Sequence, residues 1–98
     1  MNKEQLKTYR SQILTLAERY YAPNIRVFGS TVREDNTHES DVDFLIDVSP
    51  EQSLLDLIAF TRGLKELLGC EVDVAQSTVL HSVIRDEVLR EAISLDSL

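Results

Sequence analysis

Two carboxylates, Asp41 and Asp43, stand two residues apart at the head of an apolar run, Phe44-Leu45-Ile46. A strand repeats its side-chain direction every second residue, so a strand here turns both to one face. Two like charges side by side raise each other's pKa unless a cation lies between them. An all-oxygen, doubly negative site suits a hard ion such as Mg2+, which is held by one or two carboxylates together with substrate phosphates. Ten residues separate Asp41 from Gly29-Ser30, which directly follows a second apolar run, Ile25-Arg26-Val27-Phe28. A Gly-Ser step lets backbone N–H groups and a hydroxyl approach a phosphate closely. These residue types at these spacings point to a metal–triphosphate site. The bland alternative is an acidic surface loop closing a hairpin.

Such a site needs elements to hold it, and the hydrophobic pattern supplies them. Residues 3–21 place Leu6, Tyr9, Ile13, Leu16, Ala17 and Tyr20 at spacings of three and four, which predicts one amphipathic helix. Tyr20 and Tyr21 read as core and rim packing, and Pro23-Asn24 punctuates the chain. Strands are expected at about 25–29 and 42–48. Asp47 shares the parity of Asp41 and Asp43 but lies at the far end of its strand, and reads as a structural or edge charge. Ser53-Leu54-Leu55-Asp56 is an S-x-x-D capping box opening a helix over 53–68, with Leu54, Leu57, Phe60, Leu64 and Leu67 facing inward and Gly69 as its C-cap. A third strand follows as Cys70-Glu71-Val72-Asp73-Val74-Ala75. A lone Asp73 within it needs a partner, and Glu71, of the same parity, competes for that role. A last helix over 78–93 presents Leu80, Val83, Ile84, Val88 and Ala92 on one face, expected to pack on the sheet, with Leu89 and Ile93 available to a partner. The order is α-β-β-α-β-α. This predicts one α/β (α+β) domain spanning 1–98, a mixed three- to four-stranded sheet backed by helices.

Composition removes several alternatives. At 98 residues, 43% hydrophobic and 28% charged, the chain has room for one domain with one modest core. A net charge of −7 argues against direct docking on nucleic acid, whose affinity comes mainly from Lys and Arg on phosphates. No apolar run is long enough to span a bilayer and no signal peptide is visible. The single Cys70 cannot form an internal disulfide, so a cytoplasmic setting is expected, with Cys70 a buried and inert thiol. His38 and His81 form no zinc-ligand spacing; they read as a loop residue and a helix-start residue.

Val-Phe-Gly-Ser, ten residues, then Ser40-Asp41-Val42-Asp43-Phe44-Leu45 resembles the signature of the DNA polymerase β-like nucleotidyltransferase superfamily. The size resembles its shortest branch, the minimal nucleotidyltransferases, which include the antitoxins paired with HEPN toxins. Val72-Asp73-Val74 is similar to the family string that carries a third carboxylate, and Ile84 to Ala92 is similar to its closing segment. The resemblance implies that Asp41, Asp43 and Asp73 ligate Mg2+, two ions in all, with Asp73 orienting or deprotonating the attacking hydroxyl. It implies Gly29 and Ser30 on the β- and γ-phosphates, and Arg33, at a position where the family commonly has Arg, near the nucleotide. Left to the sequence alone, Arg33 is as readily a solvated or salt-bridged residue. The family usually has Gly after that Arg, whereas Glu34 stands here, and the loop's path is expected to differ.

The implied function is transfer of AMP from ATP to a hydroxyl, a tyrosine of a HEPN-type ribonuclease toxin, silencing it. The chain is too short for a second domain to clamp a base or present an acceptor, so a partner protein must do so. The rival reading is a non-enzymatic antitoxin that neutralises a basic partner by covering it. A third is a subunit that modifies a small molecule with help from another chain.

Overall fold

The computed structural model describes residues 1–33, 41–78, 80 and 82–98. Glu34, Ser40 and the two histidines, His38 and His81, lie outside the described residues, as does the expected departure of the loop at Glu34.

The N-terminal segment forms two helices, α1 (Lys3–Thr8) and α2 (Arg10–Arg19), where one was expected. Asn2 opens α1 with a capping box: its Oδ1 accepts the Gln5 N–H at 2.8 Å while its own N–H donates to Gln5 Oε1 at 3.0 Å. Tyr9, at φ −100° and ψ 6°, leaves helical geometry and turns its N–H to Leu6. The break keeps the apolar stripe in phase, since Leu6, Ile13 and Ala17 are all buried on the same core.

Strand β1 (Arg26–Phe28) then leads into a single helical turn, α3 (Ser30–Arg33). Strand β2 (Val42–Ile46) is followed by α4 (Leu54–Leu68) and β3 (Val72–Gln76). The capping box and C-cap read from sequence both form. Ser53 Oγ accepts the Asp56 N–H at 3.1 Å, and Gly69, at φ 70°, donates to Lys65 O at 2.8 Å. Phe60, Leu64 and Leu68 are the residues α4 buries; Leu54 is 72% exposed, so the inward stripe begins one turn later than expected.

Among the described residues the sheet has four strands in the order β3-β2-β1, then β4 (Ile93–Ser94). β2 is parallel to β3 and antiparallel to β1, and β1 is antiparallel to β4. The last helix, α5 (Ser82–Glu91), is shorter than expected because Ile93 leaves it to pair with Val27. That corrects two expectations. Ile93 is a sheet residue rather than a helical partner contact, and α5 buries no residue, with Val83 76% exposed. Its apolar positions do not form the core-facing stripe their spacing suggested.

Asp47 is a structural charge, as read from its position. Its carboxylate accepts from Arg26 Nη2 at 2.5 Å, Asn24 Nδ2 at 3.0 Å and Ser77 Oγ at 2.9 Å, stapling the end of β2 to the turns beside it. The Asn24 hydrogen bond pulls its pKa below the ordinary 3.8; burial opposes it, and the Ser77 hydrogen bond with the charge and hydrogen bond of Arg26 keep the net shift downward. A lowered carboxylate contributes stability above its unfolded pKa and loses it as pH falls through the folded value. Asp47→Asn is therefore expected to cost about 1 kcal/mol at neutral pH, modest because the site is partly solvated. Thermal melts at pH 7 and at pH 3 test this: the gap between variant and wild type should narrow at the lower pH.

Candidate active site

Asp43 and Asp73 are partners in the register of the parallel β2–β3 pair, and Phe28 opposes Asp43 from β1. Register partners turn their side chains to one face of a sheet. The two carboxylates thus sit side by side at the N-terminal ends of two parallel strands, where β1 ends. Asp41 stands one residue before the ladder, and the Val42 N–H between the two aspartates donates to Glu71 O at 3.1 Å, fixing that backbone to the start of β3. Glu71, the competing acid, is instead engaged with Lys65 at 3.3 Å.

Gly29 explains how Asp43 is accommodated. At φ 78° the chain turns sharply out of β1, and the Gly29 carbonyl accepts the N–H groups of Val32 and Arg33, both at 3.1 Å, starting α3. A Cβ at Gly29 would lie 2.5 Å from Asp43 Oδ2. The carboxylate therefore occupies the space that any other residue would fill. Ser30, half-buried, follows directly, and Thr31 is wholly buried, anchoring the turn.

Burial pushes the Asp43 carboxyl above its ordinary pKa, and the charges of Asp73 and Asp41 push it further. Arg33 opposes this, and Glu91 adds to it. Asp41, Asp43 and Asp73 thus share one electrostatic neighbourhood. Among the described residues, no three His, Cys, Asp or Glu side chains are gathered closely enough to hold a metal ion unaided. The donor set nevertheless fits a hard divalent cation: it is all carboxylate oxygen, and the charge crowding on Asp43 is what such an ion relieves. Asp73 is exposed and lines a groove of about 460 Å³ between α4 and β3, shared with Leu57, Thr61, Arg62 and Lys65.

Arg33, at the end of α3, has its Nη1 2.7 Å from Glu91 Oε1 at the end of α5. Sequence reasoning missed Glu91. It lies 58 residues from Arg33, in a closing segment whose resemblance assigns it no role, and the return of the chain through β4 brings it here. Cys70 is half-buried with its thiol pushed up chiefly by burial, which keeps it protonated and unreactive. No helix among the described residues is long and apolar enough to cross a membrane.

Residues 10–95 match the family described as nucleotidyltransferase domain. The chain is 42% identical over 78 residues to the protein adenylyltransferase MntA of Thermococcus cleftensis, covering 80% of this chain and 79% of that one. A solved structure described as a minimal nucleotidyltransferase superposes with a TM-score of 0.84 at 38% identity, over 95% of each chain. A toxin–antitoxin crystal structure with AMP-PNP shares the fold at a TM-score of 0.74 and 18% identity, over 88% of this chain and 71% of that one. The small α+β domain with its four-stranded mixed sheet is the architecture these proteins have in common.

Proposed function

Because the chain belongs to the nucleotidyltransferase domain family, we propose that it is a Mg2+-dependent protein adenylyltransferase that moves AMP from ATP to a hydroxyl of a toxin partner. The acceptor we assign is a tyrosine of a HEPN-type ribonuclease, and the modification silences it, so that the chain acts as an antitoxin in the cytoplasm. The observation that carries this reading is the pairing of Asp43 with Asp73 in register, beside a glycine whose missing Cβ makes room for the Asp43 carboxylate.

In this reading Asp41, Asp43 and Asp73 hold the divalent ions. When bound, these supply charge neutralisation at the triphosphate and lower the pKa of the attacking hydroxyl. Gly29 and Ser30 orient the β- and γ-phosphates through the start of α3, and Arg33 offers a guanidinium to the same polyanion. Asp73, exposed at the β3 edge, orients the acceptor hydroxyl and takes its proton. The oxygen then bonds the α-phosphorus and pyrophosphate departs. The acceptor hydroxyl is supplied by the partner protein, which docks over the open edge where Asp73 lies exposed.

The test is the intact mass of the partner, purified away from this chain after incubation with ATP and Mg2+. A gain of one or more AMP units is expected with the wild type and none with Asp41→Asn/Asp43→Asn. An unmodified partner that the double variant still silences would establish occlusion instead, and refute transfer.

A further inference from the structure

The Arg33–Glu91 pair joins the turn after β1 to the last residue of α5. The two side chains are unequal partners: Glu91 is 20% exposed and Arg33 54%. Glu91 is fixed from its own side of the chain. The Ala92 N–H donates to Val88 O at 2.8 Å, closing the helix, and Ile93 pairs with Val27 in the sheet immediately afterwards. Arg33 sits one helical turn, about 6 Å of rise, beyond Gly29, against which the Asp43 carboxylate packs. A long, exposed arginine has many rotamers to lose, so an anchor that limits its positions changes how readily it meets a ligand.

We propose that Glu91 is a positioning residue for the nucleotide: it holds the Arg33 guanidinium beside the Asp43 carboxylate, so that the phosphates of ATP meet an arginine already oriented. The inference rests on the reading of Arg33 as a phosphate-binding residue. A guanidinium presents a planar fork of five N–H donors, and Nη1 is the donor that meets Glu91. The anchor can therefore persist while the same fork turns other donors to phosphate. A rigidly placed donor gives up less freedom on binding, and the gain appears in nucleotide affinity rather than in the chemical step. Glu91 also adds negative charge near Asp43. Removing it would lower KM if it acted only by repelling the triphosphate, the opposite of what positioning requires.

The experiment combines AMP transfer to the partner with binding of a fluorescent ATP analogue, plus Mg2+, to the isolated chain. Glu91→Ala is expected to raise KM for ATP about tenfold, the scale of one charge-assisted contact, with kcat within about twofold. The analogue's Kd should rise by the same factor. Glu91→Gln, which keeps an acceptor oxygen in place and leaves the helix end intact, should recover most of the loss. In an Arg33→Ala background, Glu91→Ala should change nothing further. A lowered KM, an effect confined to kcat, or a full effect persisting without Arg33 each overturns the proposal. If Arg33→Ala leaves nucleotide binding untouched, the phosphate role and this inference fail together while transfer by the aspartates stands. If the wild type binds the analogue but modifies no partner, the transferase reading fails and the Kd series still decides the role of Glu91.

Discussion

Gly29→Ala is expected to lower AMP transfer on the order of 100-fold, the loss that about 1 Å of misplacement at a reacting centre can produce. Two costs combine at this residue. The first is the backbone: φ of 78° is open to glycine but costs an L-residue about 1–2 kcal/mol. The second is the contact of the new Cβ with Asp43 Oδ2 at 2.5 Å, which cannot stand. The atom that gives way is the tip of a short side chain, so the fold survives, but that tip is the oxygen assigned to the metal. Gly69→Ala separates the two effects. Gly69 has a similar φ of 70°, yet a Cβ there meets nothing within 4 Å. Both variants should lose about 1–2 kcal/mol, or roughly 4–15 °C in melting temperature, while only Gly29→Ala loses transfer. Equal activity in the two variants would show that Asp43 is not the residue Gly29 protects.

The elements that repeat by local rules were legible in the sequence. The capping box at Ser53 and Asp56, the C-cap at Gly69 and the three longer strands follow from residue types a few positions apart. So did the two-residue phase linking Asp41 to Asp43. The partnership of Asp43 with Asp73 is different in kind. Strand phase allowed either Glu71 or Asp73, and only the parallel register of β2 with β3 pairs Asp43 with Asp73 while Glu71 engages Lys65. The last helix was misread because its apolar spacing is genuine but unused. The two-residue strand β4, too short to carry a periodic signal, ends α5 early and draws Ile93 into the sheet. Glu91 was hidden for the same reason, since its meeting with Arg33 depends on that turn of the chain.

Asp43→Asn should separate function from stability in opposite directions. Transfer is expected to fall by on the order of 1000-fold or more, because ion-borne stabilisation amounts to several kcal/mol. Without metal, the variant should melt higher than the wild type. Asp43 is half-buried with its carboxyl pKa pushed up, first by burial and then by Asp73 and Asp41. A raised carboxyl favours the folded state only while protonated. That contribution is full below the unfolded value, near 3.8, and is lost as pH rises through the folded one. The asparagine does not titrate, so the variant's advantage should open above pH 4 and level off near neutrality. Adding Mg2+ should reverse the order. The wild type gains stability as the ion neutralises the crowded carboxylates, by an amount that grows with pH as Asp43 ionises, and the variant gains little. Thermal melts with and without Mg2+ between pH 4 and pH 8 resolve these arms. A variant that melts lower than the wild type in metal-free buffer at pH 7 would show that the Asp43 carboxylate is held by the fold for structural reasons. Equal stabilisation of both proteins by Mg2+ would place the ion elsewhere.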